Sequence, residues 1–205
     1  MDAAKLASKI YKGYDKAAKR IGFLTYIKRD GFVIGQVNAS FNAEDMHYSK
    51  PNKYGHPTWW CLIDGTQTRV GDYLYNDKDG MFFIAAMQQA LPILVISCNR
   101  VISIKRPMQQ TGIGAANYNA DTVATEIVLA IDVNCSILAS GAGKSNSTLP
   151  GDNSYPQYSV LLPAIAGVTV KNADIIIDDL GQRYSCMNVE ITDLGYRIIA
   201  QLEVA

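Results

Sequence analysis

Histidine is scarce in this chain, and only His47 and His56 occur among its 205 residues. Both lie in a polar segment near Glu44 and Asp45, and their spacing matches no metal site of defined ligand geometry. A Ser-His-Asp or Cys-His mechanism would have to use this segment, and the chain has no G-x-S-x-G nucleophile motif. The sequence therefore predicts a protein that is not an enzyme, with no catalytic residue, metal or cofactor.

Closely spaced cysteine pairs are also lacking. The cysteines lie far apart, without a C-x-x-C motif: Cys61, Cys98, Cys135 and Cys186. Since no segment has the block structure of a secretory signal, we predict buried, reduced thiols in a protein made in the cytoplasm. The apolar runs, such as residues 91–96, are far too short to cross a bilayer, so no membrane partner is expected.

Net charge is absent too, because 19 bases balance 19 acids. This balance argues against binding of nucleic acid or anionic membrane through the whole surface. The charge is nevertheless uneven, since residues 1–21 carry six bases and two acids and the rest carries 13 bases and 17 acids. The basic N-terminal segment alone is a candidate for contacts with phosphate groups.

The N-terminal residues 2–21 are predicted to form an amphipathic helix. Its apolar side consists of Ala3, Leu6, Ala7, Ile10, Tyr14, Ala17 and Ile21, and its opposite side carries Lys5, Lys9, Lys12, Lys16 and Lys19. Such an arm can lie on its own domain, dock onto another subunit, or bind phosphate or a membrane surface. We treat Leu6, Ile10 and Tyr14 as candidate interface residues and the five lysines as candidate phosphate contacts.

Residues 70–104 are the most strongly patterned stretch. Apolar runs bounded by Gly, Asn and Asp predict neighbouring strands, the last running from residue 91 to residue 104. A similar pattern recurs near the C-terminus. Placing Leu74 on Ile175 also puts Asp77 on Asp178, Gly80 on Gly181, Phe83 on Tyr184 and Ile93 on Leu194. Farther upstream, residues 57–63 fall on residues 156–162, so the chain is predicted to hold two copies of one small β module.

The predicted fold is mainly β, with two related small β-barrel or sandwich modules, an N-terminal amphipathic α-helix and long loops. The predicted units are a helical arm at 1–22, a first β module at 23–107, a linker or long loop at 108–122 and a second β module at 123–205. Arg29-Asp30-Gly31 predicts a hairpin between strands at 23–27 and 32–41. Further long loops are expected at residues 42–58 and 139–155.

Trp59 and Trp60 are the only tryptophans, and they open the first copy of the repeated pattern. Adjacent residues on a strand point to opposite faces, so at most one of the two is expected to enter the core directly. The other is covered by the helical arm or is available to a partner. Because aromatic anchors dominate many interfaces, we treat both residues as candidate interface residues.

Two motifs that suggest chemistry are interpreted as loops. Gly143-Lys144-Ser145 follows an apolar strand, as in a phosphate-binding loop. However, Leu138 stands where that motif requires glycine, and Pro156 lies in a segment that should be helical. Four acids are interpreted as solvated turn residues rather than an acid-base or metal site: Asp178, Asp179, Glu190 and Asp193.

Several segments together resemble a group of tailed-bacteriophage proteins encoded among head and tail morphogenesis genes. In the second half these are residues 160–163, 178–184 and 190–197, with the sequences VLLP, DDLGQRY and EITDLGYR. In the first half they are residues 50–55, 71–74, 83–88 and 98–100, with the sequences KPNKYG, GDYL, FIAAMQ and CNR. The resemblance therefore spans most of the chain.

The resemblance implies a β-barrel protein similar to head-completion, stopper and tail-joining proteins, which form rings below the portal. It implies a virion protein made in the host cytoplasm and forming a homo-oligomer, which we expect to contain six or twelve copies. Expected partners are further copies, the portal, adaptor or tail proteins, and DNA passing through the ring. A tail-tube or baseplate component and a nucleic-acid-binding module using the basic helix remain alternatives. The resemblance supplies no catalytic residue.

Overall fold

The computed structural model describes residues 3–43, 56–88, 91–108, 126–142 and 156–203. Within these ranges the chain forms an N-terminal helix followed by two closed six-stranded β-barrels. The predicted architecture of two β modules with an N-terminal helix is confirmed, and each module is a barrel. His47, the predicted linker after Met108 and the sequence Gly143-Lys144-Ser145 lie outside the described residues.

The first barrel follows the helix directly. Its strands are β1 (Phe23–Arg29), β2 (Phe32–Ala43), β3 (Thr58–Leu62), β4 (Tyr73–Asn76), β5 (Gly80–Ala86) and β6 (Ile93–Cys98). Antiparallel pairing joins them in the order β1-β2-β3-β6-β5-β4, and β4 pairs with β1 to close the barrel. Because side chains alternate along a strand, one half of each strand fills the interior, as Ile27, Leu74 and Ile84 do.

The second barrel repeats this arrangement. Its strands are β7 (Arg100–Pro107), β8 (Glu126–Ala142), β9 (Pro156–Leu162), β10 (Ile175–Asp178), β11 (Arg183–Thr192) and β12 (Gly195–Leu202). They pair in the order β7-β8-β9-β12-β11-β10, and β10 returns to β7. Each strand of the first barrel therefore has a counterpart six strands later. The predicted sequence repeat thus corresponds to two barrels with the same strand order.

The predicted repeat register is confirmed in one part and wrong in another. Cys61 and Val160 hold equivalent buried positions opposite Ile93 and Ile198, as the alignment of residues 57–63 with 156–162 requires. Ile93 therefore corresponds to Ile198 and not to Leu194, which lies in the β11–β12 turn.

Around the β4–β5 turn the predicted register is wrong by one residue. Leu74 pairs with Ile27, and its counterpart opposite Ile104 is Ile176 rather than Ile175. In the same way Phe82 rather than Phe83 corresponds to Tyr184. The two turns place their glycines at different points, so matching glycine to glycine shifted the alignment by one position.

The strand β7 belongs to the second barrel, whereas the sequence prediction placed residues 100–107 in the first module. The predicted strand 91–104 is broken at Asn99, whose side chain donates to the Ile137 carbonyl and accepts from the Ile137 amide, both at 2.8 Å. The amide of Asn99 also donates to the Cys135 carbonyl at 3.0 Å. Asn99 alone therefore connects the last strand of the first barrel to the first strand of the second. An interruption of one residue is too short to be recognised within an apolar run of the sequence.

The hairpin between β1 and β2 turns at the predicted residues. Asp30 and Gly31 both have positive φ angles, of 50° and 85°. This combination forms the type I′ turn that matches the twist of flanking strands, and glycine adopts it without a Cβ clash. The register shifts between Ile27 and Lys28, and the extra residue of this bulge is Ile34 on β2. The hairpin predicted from Arg29-Asp30-Gly31 is therefore confirmed.

An arginine–aspartate pair occupies the same place in both barrels. In the first, Arg29 donates to both carboxylate oxygens of Asp72 at 2.8 and 2.7 Å. In the second, Arg106 donates to both oxygens of Asp174 at 2.7 and 2.8 Å. Each carboxylate also accepts the backbone N–H three residues before it, at 2.9 and 2.7 Å. These clamps tie the end of β1 or β7 to the loop that enters β4 or β10.

The two barrels are joined through a buried apolar contact. Phe83, Ala85 and Ile96 point outward from β5 and β6 yet are only 1%, 3% and 6% exposed. They pack with Leu161 on the outer side of β9. At the edge of this contact the Tyr73 hydroxyl donates to the carbonyl of Asn134 at 2.9 Å. The barrels therefore share a hydrophobic interface of their own.

The helix α1 (Ala3–Ile21) lies on the first barrel, which is the first of the alternatives considered above. Ala18 is fully buried, and Tyr11 packs against the barrel core beside Gly65. After the helix, Gly22 approaches β2 so closely that a Cβ would lie 2.2 Å from the Ala39 carbonyl oxygen. Only glycine fits this junction, which fixes the helix against the strand.

The cysteines are free thiols, as predicted. Cys61, Cys135 and Cys186 are buried inside the barrels, and Cys98 is half-buried at the contact between them. Burial raises the pKa of the Cys98 and Cys186 thiols to about 12. All four act as small apolar packing residues.

Candidate interaction surfaces

The lysine side of α1 faces solvent. Lys5, Lys9, Lys12 and Lys16 are exposed, together with Arg20. Lys19 is exposed as well, but its ammonium group pairs with the Asp15 carboxylate at 2.6 Å. Four of the five candidate phosphate contacts therefore lie on the solvated face and do not pair with Asp15. The positive charge of Lys19 is partly neutralised by its pair with Asp15.

The apolar side of α1 is wider than the part that docks. The helix contacts the barrel through Tyr11 and Ala18, whereas Leu6 is 44% and Ile21 is 62% exposed. The candidates Ile10 and Tyr14 are half-buried beside the docked strip. The sequence analysis placed Leu6 and Ile21 on the buried side of the helix, but both are exposed. The apolar side of a helix, as seen in a sequence, does not show which of its residues will contact the barrel.

The two tryptophans point to opposite sides of β3, as the strand geometry requires. Trp59 points inward, packs against the first core and meets the Phe82 ring edge-on, with 6.1 Å between ring centroids. We therefore exclude Trp59 from the candidate interface residues. Trp60 is half-buried, pairs with Asn42 and Leu94, and remains a candidate.

A group of exposed apolar side chains lies on the β1–β2 hairpin and was missed by the sequence analysis. Leu24 (54% exposed), Tyr26 (37%) and Val33 (55%) point away from the barrel, and we call these three residues the β1–β2 face; Phe32 (75%) and Ile34 (46%) are exposed on the same hairpin. Thr25 and Ile27 point into the barrel, so their neighbours on β1 point outward. The signal was available, because Asp30-Gly31 is followed by three successive apolar residues that a barrel cannot all take inside.

Basic charge accompanies this face. Lys28 lies across from Val33 in the hairpin, and its ammonium group stands 5.1 Å from the ring centroid of Tyr75. This cation–π contact holds the lysine over the neighbouring strand β4. A partner that covers the face would therefore meet an apolar centre with a positive charge at its side.

A second exposed apolar set lies on the hairpin of β11 and β12. Its members are Met187 (51% exposed), Ile191 (64%), Leu194 (47%) and Ile199 (36%), and we call this hairpin the β11–β12 arm. Glu190 lies on the same hairpin, paired with Arg197, and Asp193 is exposed in its turn. The arm thus combines apolar side chains with two acids and two bases, because Arg183 begins β11 and Arg197 lies on β12.

The carboxylates near the C-terminal turns are structural. Asp178 accepts the backbone N–H groups of Leu180 and Gln182 at 3.0 and 2.8 Å, as an Asx turn requires. It also accepts the Tyr184 hydroxyl at 3.1 Å. The guanidinium of Arg100 lies 3.8 Å from Asp178 and from Asp179. Asp178 thus has the predicted turn role but is buried rather than solvated, and Glu190 lies within β11 rather than in a turn.

Among the described residues, no three His, Cys, Asp or Glu side chains come together as metal ligands would. His56 is exposed. In the part of the chain that the structure describes, no helix is both long and apolar enough to cross a membrane. Comparisons with protein-family models, with curated proteins and with solved structures gave no match.

Proposed function

We propose that this chain is a non-enzymatic structural protein of a tailed-bacteriophage virion. In this proposal six or twelve copies form a ring at the head-to-tail interface, in contact with portal, adaptor or tail proteins. The observation that carries the proposal is the group of exposed apolar side chains on the β1–β2 hairpin, among which Phe32 is 75% exposed. Two barrels joined by a buried apolar contact supply a rigid subunit on which such a face can be displayed.

The exposed apolar side chains of the hairpin support assembly with other protein subunits. The neighbouring Ile21 and Phe23 are also exposed, at 62% and 46%. Single exposed apolar residues are ordinary, whereas several gathered on one part of a surface often mark a contact with another protein.

Imaging would test the proposal and its closest alternative. Electron microscopy of the purified protein is expected to show closed rings, and a gold-labelled antibody is expected to mark the joint between head and tail of purified particles. Labelling along the tail or at its tip would instead support the tail-tube or baseplate alternative. Absence of the protein from purified particles would contradict the proposal.

The lysine face favours a second candidate function, binding of nucleic acid by α1. Changing Lys5, Lys9, Lys12 and Lys16 to glutamine is expected to abolish retention on a DNA column at low salt. The slope of log affinity against log salt is about −0.9 for each phosphate contact, so losing these contacts should flatten it by up to about 4. The measurement is fluorescence anisotropy with labelled duplex DNA over a salt series.

A matched control separates this effect from a change in net charge. Changing the exposed Lys78 and Lys171, which lie on the barrels, to glutamine is expected to leave DNA affinity within about twofold, because neither belongs to a lysine cluster. Equal losses in a Lys9 and Lys12 double variant and in this control would rule out a specific role for the helix. Failure of the unaltered protein to bind DNA at low salt would end the nucleic-acid hypothesis.

A further inference from the structure

The helix α1 carries a second apolar stripe beside the strip that docks on the first barrel. The docked strip contains Tyr11 and Ala18, two helical turns apart. The members of the second stripe are Leu6, Ile10, Gly13, Ala17 and Ile21. They follow one another at intervals of four, three, four and four residues, so they share one side of the helix. This side lies about a third of the way around the helix from the docked strip.

The second stripe is open to solvent at its ends and at its centre. Leu6 is 44% exposed at one end, and Ile21 is 62% exposed at the other. Gly13 is exposed, and no described residue outside the adjoining helix backbone lies within 4 Å of a Cβ placed there. Because Gly13 and Ala17 are small and the other members are large, the stripe forms a shallow groove. We call these five residues the α1 groove.

Basic side chains border the α1 groove on the side away from the docked strip. The exposed bases next to it are Lys5, Lys9, Lys12, Lys16 and Arg20. Asp15, the single acid of the helix, pairs with Lys19 on the far edge of the lysine side. The contacting strands β2 and β3 contain no charged residue. Asp64, which caps the short 3-10 helix beneath α1, bonds to Thr66. The five bases therefore form no ion pair with a described acid.

We propose that the α1 groove binds an amphipathic helix of a partner protein, whose apolar stripe is bordered by aspartate or glutamate. This contact presupposes the proposed function, since it would hold a neighbouring virion protein against the subunit. Intervals of three and four residues are those at which one helix packs along another. The small centre of the groove lets the two helices approach closely. Acids beside the partner's stripe would meet the lysines, as charged side chains do at the borders of a coiled coil.

DNA and a membrane surface each fit only part of these features. Phosphate groups would engage the lysines but would leave Leu6 and Ile21 in water. A helix that lies in a membrane surface presents a broad apolar side with bulky residues. In α1 half of the apolar side is docked on the barrel, and the centre of the other half is Gly13 and Ala17. An acidic amphipathic helix is the occupant that uses both the groove and its basic border.

The experiment uses a fluorescein-labelled three-heptad peptide with leucine at positions a and d and glutamate at positions e and g. Fluorescence anisotropy is expected to show saturable binding to the full chain. The same peptide with lysine in place of glutamate is expected to bind at least about tenfold more weakly, because like charges would meet at the border. Changing Lys9 and Lys16 together to glutamate is expected to remove this preference.

A second variant tests the apolar part of the contact. Leu6→Gln combined with Ile21→Gln is expected to weaken binding of the acidic peptide at least about tenfold, because two side chains lose their burial. Its affinity for duplex DNA is expected to stay unchanged, since every lysine remains. Ile131→Gln is the matched control, because Ile131 is 63% exposed but lies on β8. This control is expected to bind the acidic peptide as the unaltered protein does.

The inference is overturned if the acidic peptide does not bind, if both peptides bind equally, or if the control loses as much affinity as the double variant. Binding to vesicles of phosphatidylglycerol without binding to the peptide would also overturn it, in favour of a membrane surface. Peptide binding by a protein that is absent from virions would uphold the inference and contradict the proposed function. A ring-forming virion protein that ignores the peptide would do the reverse.

Discussion

Replacing Phe83 with alanine is expected to lower the free energy of unfolding by about 3–5 kcal/mol. Phe83 points away from its own barrel and is 1% exposed, because it packs at the contact with Leu161 of the second barrel. Truncation removes the ring from that contact and leaves a cavity that two rigid barrels cannot close. Chemical denaturation followed by circular dichroism measures the loss.

The same substitution at Phe32 is the control. Phe32 is 75% exposed, so alanine there is expected to change the unfolding free energy by less than about 0.5 kcal/mol. A second readout is Cys98, which packs in the same contact and whose thiol pKa burial raises to about 12. In Phe83→Ala the thiol gains access to water, its pKa falls, and labelling at pH 8 becomes faster. Equal stability losses at the two positions would contradict a shared interface between the barrels.

The general architecture followed from the sequence because it depends on local patterns. Lysines spaced along residues 5–19 predicted the helix, Asp30-Gly31 predicted the first hairpin, and residues 57–63 matched residues 156–162 correctly. These signals act within a few positions of the chain. A repeated fold was therefore predictable from its turns and its alternating strands.

The boundary and the register of the repeat required contacts that are distant in sequence. Nothing local distinguishes Ile102 from Ile96, yet Ile102 pairs with Val133 in the second barrel and Ile96 pairs with Thr58 in the first. A shift of one position exchanges the inner and outer faces of a strand. Aligning Phe83 with the core residue Tyr184 would therefore place it inside its barrel, whereas it packs between the barrels.

The candidate surfaces were predicted only in part for the same reason. Apolar residues were expected to be buried, so the three successive apolar residues after Asp30-Gly31 were not interpreted as a sign of exposure. Trp59 and Trp60 attracted attention by their size, although strand alternation leaves only one of them available. Barrel closure decides which outward residues remain uncovered, and that property belongs to the whole fold.

Replacing Asp174 with alanine is expected to lower the free energy of unfolding by about 2–4 kcal/mol. The carboxylate is 1% exposed and accepts two hydrogen bonds from Arg106 and one from the backbone of Lys171. Its hydrogen bonds raise the pKa of Arg106, which stays charged at every pH of interest and loses its partner in the variant. Urea denaturation at pH 7 measures the change.

The exposed pair of Glu190 and Arg197 provides the comparison. Both side chains are largely in water, so Glu190→Ala is expected to cost no more than about 0.5 kcal/mol. Asp72 occupies the place of Asp174 in the first barrel, and Asp72→Ala should destabilise in the same direction because its contacts are repeated there. An Asp174→Ala variant as stable as Glu190→Ala would mean that the arginine–aspartate clamp does not contribute to the stability of the fold. A large loss at both aspartates would show that each barrel needs its own clamp between the first strand and the loop that enters the fourth.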